Sequence, residues 1–394
     1  MNKKVLTLLT TGHLVNDLHQ GALPALLPFL IFAHNLSYSA AAFLVFAFSG
    51  TATIIQPLFG YLSDKLLKTW IMPLGIALNG SGFAMICLAE SYSLLIVSVI
   101  VSGIGSAMFH PEAAKMVNYA GGQNKATAMS VFGVGGTLGF SIGPLIITIA
   151  VLSLGLQGAM ITLLPVVITI YLFTRQLDVL KTLNVNGKTV SSPKQTDSVA
   201  NLWLPFVILT ITIIGKSVIY YSLFTFIPVY WTTTLNQSTL AGGMALTLFS
   251  AAGVIGNLAG GQLADKLGNK FVIMMGCILL IPALPLLLWT NNILFAYVML
   301  FVVGALLLST YAPTIVLGQK FLPNHIGFSS GITLGVAFSI GGMVTPSLGY
   351  YADLHGLPAA LSFVAIIPMA LVCFAYTLPT NNGKAMIQSD VASS

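Results

Sequence analysis

His13, Asn16, Asp17 and Gln20 fall at i, i+3, i+4 and i+7, the spacing that aligns side chains on one face of a helix. His13 and Asp17, one turn apart, can share a proton or a hydrogen bond, so this face carries an acid–base pair. Counted from Leu6, Asp17 lies about 17 Å along a helix rising 1.5 Å per residue, near the middle of a bilayer. A second group follows in Phe109-His110-Pro111-Glu112-Ala113-Ala114-Lys115. Pro111 removes one helical hydrogen bond and frees a carbonyl that a neighbour or a cavity must satisfy, and His110 and Glu112 flank that weak point. Histidine changes charge near neutral pH, so His110 and Glu112 join Asp17 and His13 as candidate proton carriers. Glu112 is also placed to pair with Lys115 at i, i+3. The third group is Lys216, a lone basic residue inside an apolar run, with Tyr220 one turn further on the same face. An ammonium is a point charge with three donors, suited to holding an anion that must also leave. Asn16 and Gln20 add neutral hydrogen-bonding groups to that set of substrate contacts.

Helices that cross a membrane must position these residues. The apolar runs give about twelve candidate spans, each long enough to cross a hydrocarbon core of ~30 Å. Of fifteen Lys and Arg residues, fourteen lie in the tails or in alternate gaps between those runs; Lys216 is the exception. With both termini in the cytoplasm, Lys3, Lys4, Lys65, Lys68, Lys115, Lys125, Arg175, Lys181, Lys188, Lys194, Lys266, Lys270, Lys320 and Lys384 are all inside. Positive charge is retained on the cytoplasmic side, so this asymmetry sets the orientation. Composition agrees: 56% hydrophobic and 6% charged residues exclude a water-soluble domain, which carries about a quarter charged residues. The net charge of +6 is spread along the inner loops, where anionic lipid and insertion explain it, and nucleic acid is excluded as a partner. Cys87, Cys277 and Cys373 lie in separate runs with no metal spacing and read as small buried hydrophobes. Lys3 and Lys4 before Val5–Leu9 resemble a signal peptide only briefly. His13, Asn16 and Asp17 interrupt the run, which reads as an uncleaved first span.

The chain repeats itself. Gly60-Tyr61-Leu62-Ser63-Asp64-Lys65-Leu66 returns as Gly261-Gln262-Leu263-Ala264-Asp265-Lys266-Leu267, an offset of 201 residues. A similar offset pairs Pro28 with Pro228, Pro111 with Pro313 and Pro144 with Pro346. Such constancy predicts two six-helix halves, residues 1–174 and 201–379, joined by a polar cytoplasmic linker at 175–200 and followed by a tail at 380–394. An offset of 200, that of Pro28 and Pro228, makes Lys216 the counterpart of Asn16, beside Asp17. Cation and carboxylate are then expected at equivalent heights on opposite walls of one cleft, an arrangement compatible with an ion pair between them.

The doubled loop Gly60-x-x-x-Asp64-Lys65 and Gly261-x-x-x-Asp265-Lys266 resembles the inner loop of the major facilitator superfamily, and the resemblance covers essentially the whole chain. It implies an all-α membrane fold of twelve spans in two bundles related by a pseudo-two-fold axis. An Asp at the inner end of one helix can face the positive end of another and lock that side in one state. Gly139-x-x-x-Gly143-Pro144 resembles part of the fifth-helix motif of drug antiporters, with Ile147 and Thr148 where that motif has glycines. Val99 stands where the superfamily carries a basic residue in span four. Close packing through small residues accounts for the glycines equally well. Gly12-His13-Leu14-Val15-Asn16-Asp17, Pro24 to Pro28 and Phe109 to Ala114 together resemble the fosmidomycin-resistance branch. That resemblance implies a bacterial inner-membrane, proton-driven exporter of phosphonate antibiotics of the fosmidomycin and fosfomycin type.

Two functions stay open from the residues: an efflux antiporter for a small anionic drug, and an uptake symporter for an organic anion using the same Lys and carboxylates. An enzyme is excluded by the lack of HExxH, GxSxG and P-loop motifs, and the missing P-loop also excludes direct drive by ATP. We expect no cofactor, the proton gradient as energy source, membrane lipid as surroundings and a monomer. The six histidines are scattered along the sequence, so no metal site is expected.

Overall fold

In hydrocarbon a helix satisfies every backbone N–H and C=O within its own segment, which is why long apolar runs become helices. The computed structural model describes residues 1–59, 69–122, 125–188, 200–322, 329, 332–333 and 337–379, and these contain no strand. The helices are α1 (Lys3–His34), α2 (Tyr38–Ile54), α3 (Ile71–Ile86), α4 (Tyr92–Gly121), α5 (Lys125–Leu154) and α6 (Leu163–Arg175), the last preceded by a 3-10 segment Leu156–Thr162. There follow α7 (Leu177–Lys188), α8 (Trp203–Thr233), α9 (Thr239–Leu267), α10 (Asn269–Leu288), α11 (Ile293–Ser309), α12 (Tyr311–Phe321), α13 (Ala337–His355) and α14 (Leu357–Thr377).

Among the described residues nine stretches are long and apolar enough to cross a membrane: those of α2, α4, α5, α6 with its 3-10 lead, α8, α9, α10, α11 with α12, and α14. Helices α1, α3 and α13 occupy the other three expected positions without joining that nine. Helix α1 carries the polar face, α3 is only 16 residues long, and α13, at 19 residues, carries Thr345, Ser347, Tyr350, Tyr351 and Asp353. Leu164, Leu204, Trp289 and Leu294 stand exposed on the outside of their helices. In water such a surface would be a liability; against lipid tails it is the contact surface.

Contacts divide the chain into two compact units. One holds Met1–Gln195, Phe224–Ser250 and Thr345–Leu357; the other holds Thr196–Leu223, Ala251–Val344 and Pro358–Ser394. In the first, a stripe of glycines brings α5 onto α1. A Cβ at Gly135, Gly139 or Gly143 would strike the backbone carbonyls of Thr10, Leu14 and Leu18 in turn. Both series advance by four residues, so the two helices run in register at backbone contact. Phe109, Met116, Phe132, Val166 and Phe173 fill the core beside this seam. In the second unit Phe206, Leu209, Ile273, Leu317 and Phe321 do the same.

The sequence predicts a linker over 175–200, but α7 forms in its first half. Leu180 is fully buried in the first unit's core with Leu183 packed beside it, and Asp178 in the first turn complements the helix dipole. Residues 189–199 and the tail 380–394 lie outside the described residues, as do Gly60, Asp64 and Lys65 of the first repeated loop.

The start of α2 is capped from far along the chain. Asp353 of α13 accepts hydrogen bonds from the N–H groups of Tyr38 (2.6 Å) and Ser39 (3.1 Å), while the Ser37 hydroxyl accepts from Ala40 (3.1 Å). Three of the four N–H groups that a helix leaves unpaired at its start are thus satisfied. Gly349, one turn before Asp353, lies against the backbone of Tyr38 and Ser39. Asp353→Ala is expected to destabilise the protein by about 1 kcal/mol, the usual effect of losing a cap. Thermal unfolding in detergent measures it, and an unchanged midpoint would show that the contact contributes nothing.

Candidate functional site

Helix α1 brings His13, Asn16 and Asp17 to one face, as their spacing predicts, and α4 delivers His110 to the same place. The Asp17 carboxylate is bracketed by two imidazoles: His13 Nε2 lies 3.1 Å from Oδ2, and His110 Nε2 lies 3.0 Å from Oδ1. The three side chains are 12–22% exposed, so the cluster is screened from solvent but not sealed. Each ring is held at its other nitrogen. His13 Nδ1 donates to the Phe132 carbonyl of α5 at 2.8 Å, and its ring stacks on Phe132 with centroids 4.0 Å apart. His110 Nδ1 donates to the Ser106 carbonyl one turn back at 2.9 Å, in the part of α4 where Pro111 interrupts the hydrogen bonding. Gly136 of α5 makes room for the cluster, since a Cβ there would collide with the His13 ring and sit 2.7 Å from Asp17 Oδ2.

A network of amides and hydroxyls supports the carboxylate. Asn16 Nδ2 donates to Asp17 Oδ1 (3.2 Å) and to the Ser106 hydroxyl (3.1 Å). Asn79 of α3 donates to the Asn16 side-chain oxygen (2.8 Å) and backbone carbonyl (2.9 Å), and Ser102 of α4 donates to Asn79 Oδ1 (2.6 Å). Asn16, Asn79, Ser102 and Ser106 are buried. Each of these contacts has a defined donor and acceptor, and such a satisfied network fixes one geometry. Asn79 and the serines are missing from the sequence reading. A signal existed, since Ser98, Ser102, Ser106 and His110 repeat every fourth residue and so line one face of α4.

Glu112 does not join them. It is fully buried and pairs with Lys115 at 2.7 Å. Two residues along a helix is about 200° of rotation, so His110 and Glu112 face different neighbours. Gln20 is half-buried near the next turn of α1, and His19 turns toward Phe83 of α3, with ring centroids 4.9 Å apart.

Lys216 belongs to the second unit. It is 8% exposed and borders a cavity of about 20 Å³ that Ser217, Tyr220, Tyr311, Thr314 and Thr333 also line. Room of that size suits water and not an organic anion, so a substrate would have to widen it. Lys216 and Tyr220 are foreseen from their spacing, whereas Tyr311 and Thr333 come from elements whose approach no local pattern announces. Gly139 and Gly143 sit in the seam with α1, and Pro144 follows inside α5. Gly261, Asp265 and Lys266 fall in the last turns of α9, with Asp265 and Lys266 exposed.

The fold brings together two of the histidines that are scattered along the sequence. His13, Asp17 and His110 form a group, among the described residues, whose donor atoms lie within 4.8 Å of one another, close enough to share a bound cation.

Comparison with known proteins places this arrangement in context. The chain is 28% identical over 386 residues to the fosmidomycin resistance protein of Escherichia coli (strain K12), covering 96% of this chain and 94% of that one. It is 28% identical over 382 residues to an uncharacterised MFS-type transporter, YfnC, of Bacillus subtilis (strain 168), covering 96% and 93%. Among solved structures, a point mutant of the nucleoside transporter NupG superposes with a TM-score of 0.78 at 12% identity, covering 95% of this chain and 99% of that one. A bacterial homologue of the human lysosomal transporter Spinster superposes with a TM-score of 0.76 at 15% identity, covering 95% and 96%. The pattern of the Major Facilitator Superfamily matches residues 9–346. With its helical membrane architecture and a match over most of its length, this chain belongs to the Major Facilitator Superfamily of transporters.

Proposed function

We propose that this transporter is a proton-coupled antiporter that exports small anionic compounds, phosphonates of the fosmidomycin and fosfomycin type, across a bacterial inner membrane. Both termini lie in the cytoplasm in this reading, as the Lys and Arg distribution requires. The observation that carries it is the carboxylate of Asp17 held between His13 and His110 on α1, near the middle of the membrane in this reading. Titratable groups at that depth are expensive to bury, and a proton pathway is a reason to bury them. Lys216, with Tyr220 beside it, supplies the anion contact, Asn16 and Gln20 stand on the α1 face, and Glu112 remains a second carboxylate in the coupling set. Asp265 and Lys266, with Asp64 and Lys65 in the matching loop, act as the latch on the inner side. The substrate class comes from the likeness to the fosmidomycin resistance protein. Each negative charge moved out and each proton moved in shifts one charge down the potential, roughly 2.3 kcal/mol per 100 mV.

The test is transport of labelled fosmidomycin into inside-out vesicles under an imposed proton gradient. Accumulation that collapses with a protonophore is expected. Uptake in right-side-out vesicles instead would replace export with symport. In the same system Lys216→Met keeps the side-chain stem and removes the charge, so affinity for the anion should fall more than tenfold, about 1.4 kcal/mol or more. Unchanged affinity in the variant would remove Lys216 from the substrate site.

A further inference from the structure

The partners of the two imidazoles determine where their hydrogens are. A carbonyl oxygen only accepts, so Nδ1 of His13, at 2.8 Å from the Phe132 carbonyl, carries a hydrogen. By the same argument so does Nδ1 of His110, since the Ser106 carbonyl at 2.9 Å is its nearer partner and the Ser106 hydroxyl, at 3.4 Å, the more distant one. A neutral ring with its hydrogen on Nδ1 presents a bare lone pair at Nε2. Both Nε2 atoms point at Asp17, 3.1 Å from Oδ2 and 3.0 Å from Oδ1. A lone pair facing a carboxylate oxygen at that distance is repelled unless a proton lies between them. There are two such contacts, on two different oxygens, and a single proton cannot bridge both.

We propose that His13, Asp17 and His110 form a two-proton site. In this arrangement the three groups hold two protons beyond their Nδ1 hydrogens, one in each contact between Nε2 and the carboxylate. Two imidazolium rings around a carboxylate satisfy this count. So do one imidazolium, one carboxylic acid and one neutral ring. Both give the cluster a net charge of +1. The surroundings supply no substitute. The Asn16 amide donates to Oδ1 and does not titrate, Ser106 and the Asn79 amide lie behind it, and Phe109 and Phe132 present rings. Glu112 is neutralised by Lys115 on another face of α4, and His19 turns to Phe83. Gly136 keeps the geometry possible by leaving the space beside His13 and Oδ2 open. A transport cycle that empties this site moves two protons, and that statement alone rests on the proton-coupled reading above; the occupancy does not.

The experiment counts protons without transport. The full chain, labelled with 15N-histidine and 13C-aspartate, is placed in lipid bilayers at pH 6 with EDTA present, so that no metal occupies the cluster. Solid-state NMR identifies the two rings by their through-space correlation with the Asp17 carboxyl carbon. The expected result is Nδ1–H on both rings and two further protons shared among the two Nε2 atoms and the carboxyl group. One further proton or none overturns the proposal, as does a ring with a bare Nδ1. Two protons in the cluster together with failed export of fosmidomycin would leave the site standing and remove only the exporter reading.

Discussion

Asp17→Asn is expected to reduce gradient-driven export to the level of vesicles lacking the protein, while the folded protein is recovered in normal yield. Asparagine keeps the shape and one oxygen of the aspartate, so the contacts with Asn16 and, through it, Asn79 and Ser106 have no steric reason to change. What it lacks is the carboxylate that, with the two imidazoles, holds the two protons proposed above. With both Nδ1 hydrogens engaged, the amide can donate to one Nε2 but turns an oxygen toward the other, so proton capacity drops. Substrate contacts at Lys216 are untouched, so binding and gradient-free exchange of fosmidomycin should persist. Measuring both on one preparation separates coupling from folding. Full gradient-driven accumulation in Asp17→Asn, and likewise in His110→Gln and Glu112→Gln, would sink the coupling assignment.

The second large effect comes from three glycines of α5. A Cβ at Gly133 would meet nothing within 4 Å, so Gly133→Ala is expected to be silent or to add up to about 1 kcal/mol of stability through helix propensity. Gly136→Ala drives a methyl into the His13 ring and against Asp17 Oδ2. It changes no titratable group, yet it must push His13 off the carboxylate, and coupled transport should be lost as in Asp17→Asn. Gly139→Ala places the methyl in the Leu14 backbone carbonyl, which no side-chain rotation relieves, so roughly 1–3 kcal/mol or more of stability is lost and yield falls. Expression, thermal midpoint and transport, read for all three, distinguish seam from site. Normal transport by Gly136→Ala would mean the imidazole–carboxylate contacts are not needed for coupling.

Much of this was legible in the residues alone. The apolar runs and the doubled Gly-x-x-x-Asp-Lys pattern carry the all-helical fold and the family, because a chain in lipid must close its backbone hydrogen bonds within long apolar helices. The polar face of α1 was equally plain, since helical periodicity alone assembles His13, Asn16 and Asp17. What periodicity cannot announce is a partner from another helix. His110 reaches Asp17 across 93 positions, while its neighbour Glu112 is rotated onto Lys115, the pair their i, i+3 spacing allows. Asn79 and Ser102 escaped because single amides and hydroxyls are common in apolar helices, and only a network shows which of them matter. Helix α7 was masked by its polar composition; two leucines were enough to fold it onto the core.

The cap on α2 sets a constraint on biogenesis. Tyr38 and Asp353 are separated by 315 positions, so the ribosome delivers the start of α2 long before the carboxylate that completes it. At typical rates of about 5–20 residues per second that delay is roughly 15–60 s. Through that interval the open N–H groups of Tyr38 and Ser39 must be served by water or lipid headgroups at the membrane surface. The nascent first half therefore waits in the membrane with one helix end unfinished, and closing that end belongs to the last stage of synthesis.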